Sequence, residues 1–381
     1  MTTVKKHKKH NKIPRRSFGD FGASELAFVG TSCSNIQLLS KVVIKDVSNE
    51  HEVGYVDADH KSFEQPEKGD YLEQGAAVYF SDKQLSKQLL TTNIENPFDY
   101  KIAFNSIDVA FVNGNHFKAD FQIVFLDTSK TKSLEKRMDQ LTNVLAIVHV
   151  DTNVMPQSIS DKIPDIESLP TFDFKDTAGI SGFVSEWLNS RIPTIKALLL
   201  AGGKSTRMGK DKATLEYKNT QQLERLLGVI KPIIPEVFVS CRKDQQFPVD
   251  APYIYDRTDD MGPLGGITTA FRTDPNAAWL VIACDLPMID STVIEQLIKS
   301  RSTKHIATAF LNDETGFAEP LITIWEPKSY MRLMQFEALG YTCPRKVLIN
   351  SKTNLITPND ASKLLNVNTP EEFAFATKAL G

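Results

Sequence analysis

Three observations on this chain predict two α/β domains. Its 381 residues exceed one ordinary domain and suit two. Short apolar runs recur between segments of helical spacing, the pattern of a parallel sheet covered by helices. At Arg191-Ile192-Pro193-Thr194 that pattern restarts, which places a boundary near residue 192. The predicted division is a basic arm over 1–22, a first α/β domain over 23–191 and a second over 192–381.

In the first domain, 24-SELAFVGT-31 reads as a short buried strand. Helical spacing follows at Ile36, Leu39, Val43 and Val47. Further strands are predicted at 52–58, 76–80, 107–114, 121–127 and 144–151, all in a parallel sheet. The segment 156-PQSISDKIPDIESLPTFDF-174 holds three prolines and reads as a surface excursion before a helix at 178–190. In the second domain, strands are predicted at 195–200, 236–241, 278–284, 305–310 and 321–325. Helices are predicted at 220–230, 266–273 and 291–300.

Composition narrows the function. Hydrophobic content of 41% and charged content of 24% are those of a soluble globular protein. A net charge of −3 gives no sign of a nucleic-acid binder. Cys33, Cys241, Cys284 and Cys343 stand far apart, which argues against a zinc site and a disulfide framework and suits a reducing cytoplasm. No apolar run approaches the roughly 20 residues of a membrane helix, and no apolar stretch of a secretory signal follows the basic start. That start (Lys5, Lys6, Lys8, Lys9, Lys12, Arg15 and Arg16) reads as a solvated arm, with an anionic partner as the alternative.

The stretch 201-AGGKSTRMGKDKATL-215 holds Gly203-Lys204-Ser205, which imitates the tail of a Walker A loop. The Walker spacing needs a glycine five positions before the second one. That position is Leu198, inside the strand, so the Walker reading fails. What remains is a strand, two glycines that let a backbone approach a flat ligand, and the cations Lys204, Arg207, Lys210 and Lys212. Arg207 offers a bidentate fork to phosphate oxygens and Lys212 a point charge. A glycine turn with a solvated basic loop is the alternative.

Two further segments point to the same sheet edge. In 254-IYDRTDDMGPLGGI-267 a strand ends in Asp256, and a glycine-rich loop leads to a helix whose amino terminus is expected near Leu264 to Ile267. In 279-WLVIACDLPMID-290 a buried strand ends in Asp285. A carboxylate there suits Mg²⁺, which takes one or two carboxylates plus phosphate oxygens and water. Turn capping is the alternative for Asp285. Cys284 reads as a buried small thiol. Thr369-Pro370-Glu371-Glu372 reads as a helix start, with Asn366 and Asn368 near the substrates but not catalytic.

The combination 200-LAGGKSTRMGKDKATL-215, 262-GPLGGI-267, 284-CDLPMID-290 and 366-NVNTPEEF-373 resembles the molybdenum cofactor guanylyltransferases, of the Rossmann-like nucleotidyltransferases. The resemblance covers roughly residues 195–381. One departure is Gly265, where the family usually shows alanine. The resemblance implies that Leu200, Ala201, Gly202 and Gly203 line the guanine end of GTP. It implies that Arg207 and Lys212 contact phosphate, that Asp256 contacts the guanosine part, that Gly262 lies in the GTP site and that Asp285 holds Mg²⁺. It implies transfer of GMP from GTP to molybdopterin, with Arg207, Lys212 and Asp285 as the catalytic set. A molybdoenzyme client or a cofactor-delivery protein is the further partner. Cytidylyl or sugar-phosphate transfer, or a non-catalytic carrier role, are the alternatives.

The first domain has the strand–loop–helix layout of a phosphate loop, with Gly30 as first glycine. The template then expects Gly, Lys and Ser or Thr at 35–37, where the chain has Asn35, Ile36 and Gln37. This domain more weakly resembles the molybdopterin-guanine dinucleotide accessory GTPase, as a degenerate P-loop NTPase-like fold. Loss of GTP hydrolysis and a docking role are expected of it.

Overall fold

The computed structural model describes residues 21–22, 24–58, 70–83, 86–91, 97–163, 165–202, 212–257, 261–313 and 315–381. The expected roles of the basic arm, Gly203, Lys204, Arg207 and Lys210 therefore lie outside the described residues. The chain divides into two compact units, one ending at Ser190 and one running on from Arg191.

The first unit carries strands β1 (Glu25–Val29), β2 (Val53–Val56), β3 (Val78–Asp82), β4 (Lys87–Thr91), β5 (Val109–Asn113), β6 (Phe121–Leu126), β7 (Val144–His149) and β8 (Thr171–Asp173). The main sheet has the order β2-β5-β1-β6-β7-β8, with every pair parallel. β1 lies between β5 and β6 and is buried on both faces, which explains the unbroken apolar run Leu-Ala-Phe-Val after Glu25. The helix Cys33–Val47 turns Ile36, Leu39, Val43 and Val47 onto the sheet, at the spacing read from the sequence. It shares that core with Ile180, Val184 and Leu188 of the helix Thr177–Asn189.

Two expectations are corrected here. The strand expected at 76–80 is β3, and it lies outside the main sheet in an antiparallel hairpin with β4. The segment 156–174 is no surface excursion. It holds the helix Gln157–Lys162 and the edge strand β8, and it buries Ile159, Ile163 and Ile166 in the core. Those isoleucines follow i, i+4, i+7 spacing, which Pro164 between them and the prolines on either side obscured.

The position of the expected phosphate loop also differs. The helix begins at Cys33, only three residues after Gly30, and the Ser32 hydroxyl accepts from the Asn35 N–H at 3.2 Å. Ile36 is wholly buried, so Asn35-Ile36-Gln37 is helix packed on the sheet. The loop that would wrap phosphates is absent along with its lysine. Gly30 instead holds a sharp turn at φ +104°, where an added Cβ would stand 2.5 Å from the Phe125 carbonyl oxygen. Gly30→Ala is expected to destabilise this unit by about 2–4 kcal/mol, read as a lower urea midpoint of its unfolding transition. An unchanged midpoint would refute the strain at this turn.

The second unit carries β9 (Ile195–Leu200), β10 (Glu216–Tyr217), β11 (Thr220–Gln221), β12 (Val237–Cys241), β13 (Tyr253–Tyr255), β14 (Ala278–Ala283), β15 (Ala307–Asn312), β16 (Phe317–Trp325) and β17 (Thr353–Ile356). Its sheet has the order β13-β12-β9-β14-β16-β15-β17. β13, β12, β9 and β14 run parallel. β16 runs against both neighbours, so this sheet is mixed. One hydrophobic core covers each face. Leu199, Leu280 and Ile282 belong to one, and Leu198, Trp279 and Val281 to the other. Alternate residues of each strand thus point to opposite cores, and the strands read as continuous apolar runs.

Candidate functional site

The four parallel strands of the second unit end together, and the residues just past their carboxyl ends form the site. β9 ends at Leu200 and leads into Ala201 and Gly202; β13 leads into Asp256; β14 leads through Cys284 into Asp285. Backbone bonds lock these ends in register. The Ala201 N–H donates to the Ser240 carbonyl at 2.8 Å, the Asp256 N–H to the Cys241 carbonyl at 3.0 Å, and the Cys284 N–H to the Leu200 carbonyl at 3.2 Å.

One group of side chains gathers at Gly202. The Ser240 hydroxyl donates to Oδ1 of Asp256 at 3.0 Å. An added Cβ on Gly202 would lie 3.3 Å from Oδ2 of Asp256 and 3.4 Å from the Cys241 Cα. Any side chain here would crowd the carboxylate, which explains the glycine. The helix Gly262–Thr273 opens at Gly262, with φ +56° and Pro263 in its first turn, rather than near Leu264 to Ile267 as expected. Gly265 and Gly266 lie buried inside it. A Cβ on Gly266 would stand 2.7 Å from the Ser240 hydroxyl and 2.8 Å from Leu200 Cδ2. Gly266 therefore lets the helix close onto β9; it does not form a phosphate turn.

The second group centres on Asp285. Its Oδ2 lies 3.2 Å from the Lys212 ammonium, which also donates to Oδ1 of Asn368 at 2.6 Å. Oδ1 of Asp285 is buried and accepts no hydrogen bond from the described residues. A carboxylate that capped a turn would use its oxygens on backbone N–H groups; this one does not. Its own carbonyl instead accepts from the Val367 N–H at 2.8 Å, which ties the 366–369 segment to the end of β14. Next to it, Oδ1 of Asn366 is buried and also has no hydrogen-bond partner among the described residues.

Local structure fixes these side chains. Thr369 and Glu372 form a reciprocal capping box at the start of the helix Pro370–Leu380, so Thr369 is a helix cap. The Glu372 carboxylate also accepts from the Asn368 N–H at 2.6 Å, which orients Asn368 toward Lys212. The ring of Tyr217 packs on Phe373 at 5.2 Å and anchors the helix from below. Burial pushes the Tyr217 phenol up to about 12, with the Asp285 charge acting the same way and Arg225 against it. The Arg225 guanidinium donates to the Ile289 carbonyl at 3.1 Å, holding the loop that follows Asp285. Cys284 is buried in the core, a packing thiol.

Asp285, Lys212 and Asn368 meet in one cluster and Gly202, Ser240 and Asp256 in another, on the same sheet edge. The comparisons with known proteins match this unit. A family model described as a MobA-like NTP transferase domain matches residues 197–353. A probable molybdenum cofactor guanylyltransferase of Carboxydothermus hydrogenoformans is 30% identical over 184 residues, covering 46% of this chain and 91% of that protein. The chain belongs to the molybdenum cofactor guanylyltransferase family. A molybdenum cofactor biosynthesis bifunctional protein of Synechocystis is 35% identical over 179 residues, 46% of this chain. That match spans about half of the relative's length, 52%. Among solved structures, a molybdopterin-guanine dinucleotide biosynthesis protein A from Archaeoglobus fulgidus aligns over 48% of this chain and 97% of its own, at 21% identity and a TM-score of 0.41.

Within this unit, sequence reasoning placed Asn366 and Asn368 near the substrates but did not connect either to Lys212. Asn368 meets Lys212 across 156 positions of chain. The available signal was the run Asn-Val-Asn directly before a strong helix start, two amide side chains where capping needs only Thr369.

Proposed function

We propose that this protein transfers GMP from GTP to molybdopterin in the cytoplasm, giving the guanine dinucleotide cofactor and pyrophosphate. The observation that carries this reading is the Asp285 carboxylate, held at a strand end by Lys212 with one buried oxygen unpartnered. An oxygen that has been taken from water without a partner costs stability, and a cation supplies what it lacks. A single carboxylate with neighbouring amide oxygens suits Mg²⁺, whose remaining positions go to phosphate oxygens and water. When bound there, Mg²⁺ would neutralise charge on the triphosphate and on the departing pyrophosphate.

The chain's own residues do the rest. Gly202 and Asp256 form the place for the guanosine end, where a flat base lies on backbone and a carboxylate accepts from ring N–H groups. Gly262 opens the helix beside it, and Arg207 and Lys212 are the proposed cations for the phosphates. A terminal phosphate oxygen of molybdopterin attacks the α-phosphorus, and the bond to the bridging oxygen of pyrophosphate breaks. The attacking oxygen is already ionised near neutral pH, so positioning and charge stabilisation supply most of the rate. The product then passes to a molybdoenzyme or a delivery protein.

The test is a pyrophosphate-release assay with molybdopterin, Mg²⁺ and each of the four ribonucleoside triphosphates. GTP is expected to exceed the others by at least about tenfold in kcat/KM, a difference of about 1.4 kcal/mol in transition-state binding. Faster release with CTP would overturn the guanylyl assignment. No release with any of them would favour a carrier.

A further inference from the structure

The first unit gathers reactive groups at the carboxyl edge of its own sheet, on residues that the guanylyl reading does not use. Cys33 opens the helix after β1. Its Sγ lies 3.3 Å from Nε2 of His116, in the loop after β5. The same Nε2 lies 3.6 Å from Oδ1 of Asp57, just past β2. Asn115 ties the arrangement together: its amide reaches the Thr31 carbonyl at 2.9 Å and the Cys33 sulfur at 3.6 Å.

Asp57 is held as a carboxylate. Burial opposes its ionisation, but hydrogen bonds from Gln37, Tyr55, the Ala58 N–H and Asn113 outweigh it and keep the carboxyl below its usual range. Burial, and then the bond to Asp57, push the Tyr55 phenol up, so Tyr55 stays a donor. The imidazole thus stands between a thiol and a fixed negative charge. The histidine and aspartate side chains are mostly covered, 13% and 15% exposed, while Cys33 is partly open.

We propose that Cys33 is a nucleophilic thiol, with His116 as its base, that exchanges with small disulfides at the carboxyl edge of the first unit's sheet. A base within hydrogen-bond reach of the sulfur and a third group beside the base is the arrangement that activates a nucleophile. Nε2 of His116 accepts the thiol proton, with Asp57 beside it as compensating charge. The Cys33 sulfur attacks one sulfur of the disulfide. A new S–S bond forms, the old one breaks, and its electron pair leaves on the departing sulfur, which takes the proton back from His116. Asp57 touches neither sulfur and is a positioning residue.

The remaining cysteines serve as internal controls: Cys241 and Cys284 are buried and Cys343 is exposed. The test uses the full-length native protein and the aromatic disulfide DTNB, with peptide mass spectrometry to assign each adduct. Cys33 is expected to react at least about tenfold faster than Cys343, despite its lower exposure. His116→Gln is expected to slow Cys33 about tenfold or more and leave Cys343 unchanged. Asp57→Asn is expected to slow Cys33 as well, with Asp57→Glu restoring part of the rate. Cys33 reacting no faster than Cys343 in the wild type would overturn the proposal without any variant. So would a folded His116→Gln protein with an unchanged Cys33 rate; His116→Asn is the alternative if that variant fails to fold.

Discussion

Asp285→Ala is expected to lower kcat for GTP by about a hundred- to ten-thousand-fold, about 3–5 kcal/mol of transition-state stabilisation. The far-ultraviolet circular dichroism should stay that of the wild type. The reasoning runs from burial to chemistry. Asp285 follows a strand buried along its whole length, and one of its oxygens is sealed from water with no donor among the described residues. A packing role would favour an apolar residue at that position, since an unpaired buried acceptor costs about 1–3 kcal/mol. The fold tolerates that cost only where the oxygen has another use. Asp285→Asn keeps the shape and removes the charge, so it should lose nearly as much rate as alanine. Pyrophosphate release under saturating GTP and molybdopterin measures both variants. Rates within a few-fold of wild type would sink the assignment of Asp285 to the metal and phosphate chemistry.

How far the sequence revealed this cluster depended on the range of the interaction. β9 was legible to the residue, Ile195 to Leu200, because its apolar residues run from Ala197 through Leu200 straight into Ala201 and two glycines. Asp285 was legible because the run Trp-Leu-Val-Ile-Ala-Cys stops at a carboxylate, where parallel strands present ligands. The reversed direction of β16 was not, since alternation and apolar content are the same for a strand read either way. The start of the helix Gly262–Thr273 was expected two residues or more too late, because Gly265 and Gly266 read as loop although they lie buried inside the helix, where Gly266 admits the neighbouring strand. In the first unit, Gly30 drew attention to a phosphate loop. The burial of Ile36 shows that these positions are helix packed on the sheet, a helix that begins only three residues after Gly30. The meeting of Cys33, His116 and Asp57 was beyond reach, because it needs three strand ends at once.

Lys212→Met separates catalytic from structural effects, because its two readouts part company with those of Asp285. Lys212 stands between Asp285 and Asn368, with its side chain about one-fifth exposed and that of Asp285 less so, 21% and 14%. Removing the lysine strands a short, mostly buried carboxylate without its counter-charge, and breaking such a pair from this side should cost about 2–3 kcal/mol of unfolding free energy. Removing the charge of Asp285 leaves a long side chain that keeps Asn368 and can lean toward solvent, so Asp285→Asn should change stability by less than about 1 kcal/mol. The double variant Lys212→Met/Asp285→Asn should regain most of the stability lost in Lys212→Met, a coupling that urea unfolding measures directly. Activity should not recover. Lys212→Met alone is expected to slow turnover by about a hundredfold or more, since the proposed phosphate charge is lost. The double variant should be no faster than Asp285→Asn, because groups acting as a unit lose their effect together. Stability restored with activity still absent identifies a charge pair kept for chemistry. Recovery of both would mean that the pair serves the fold alone.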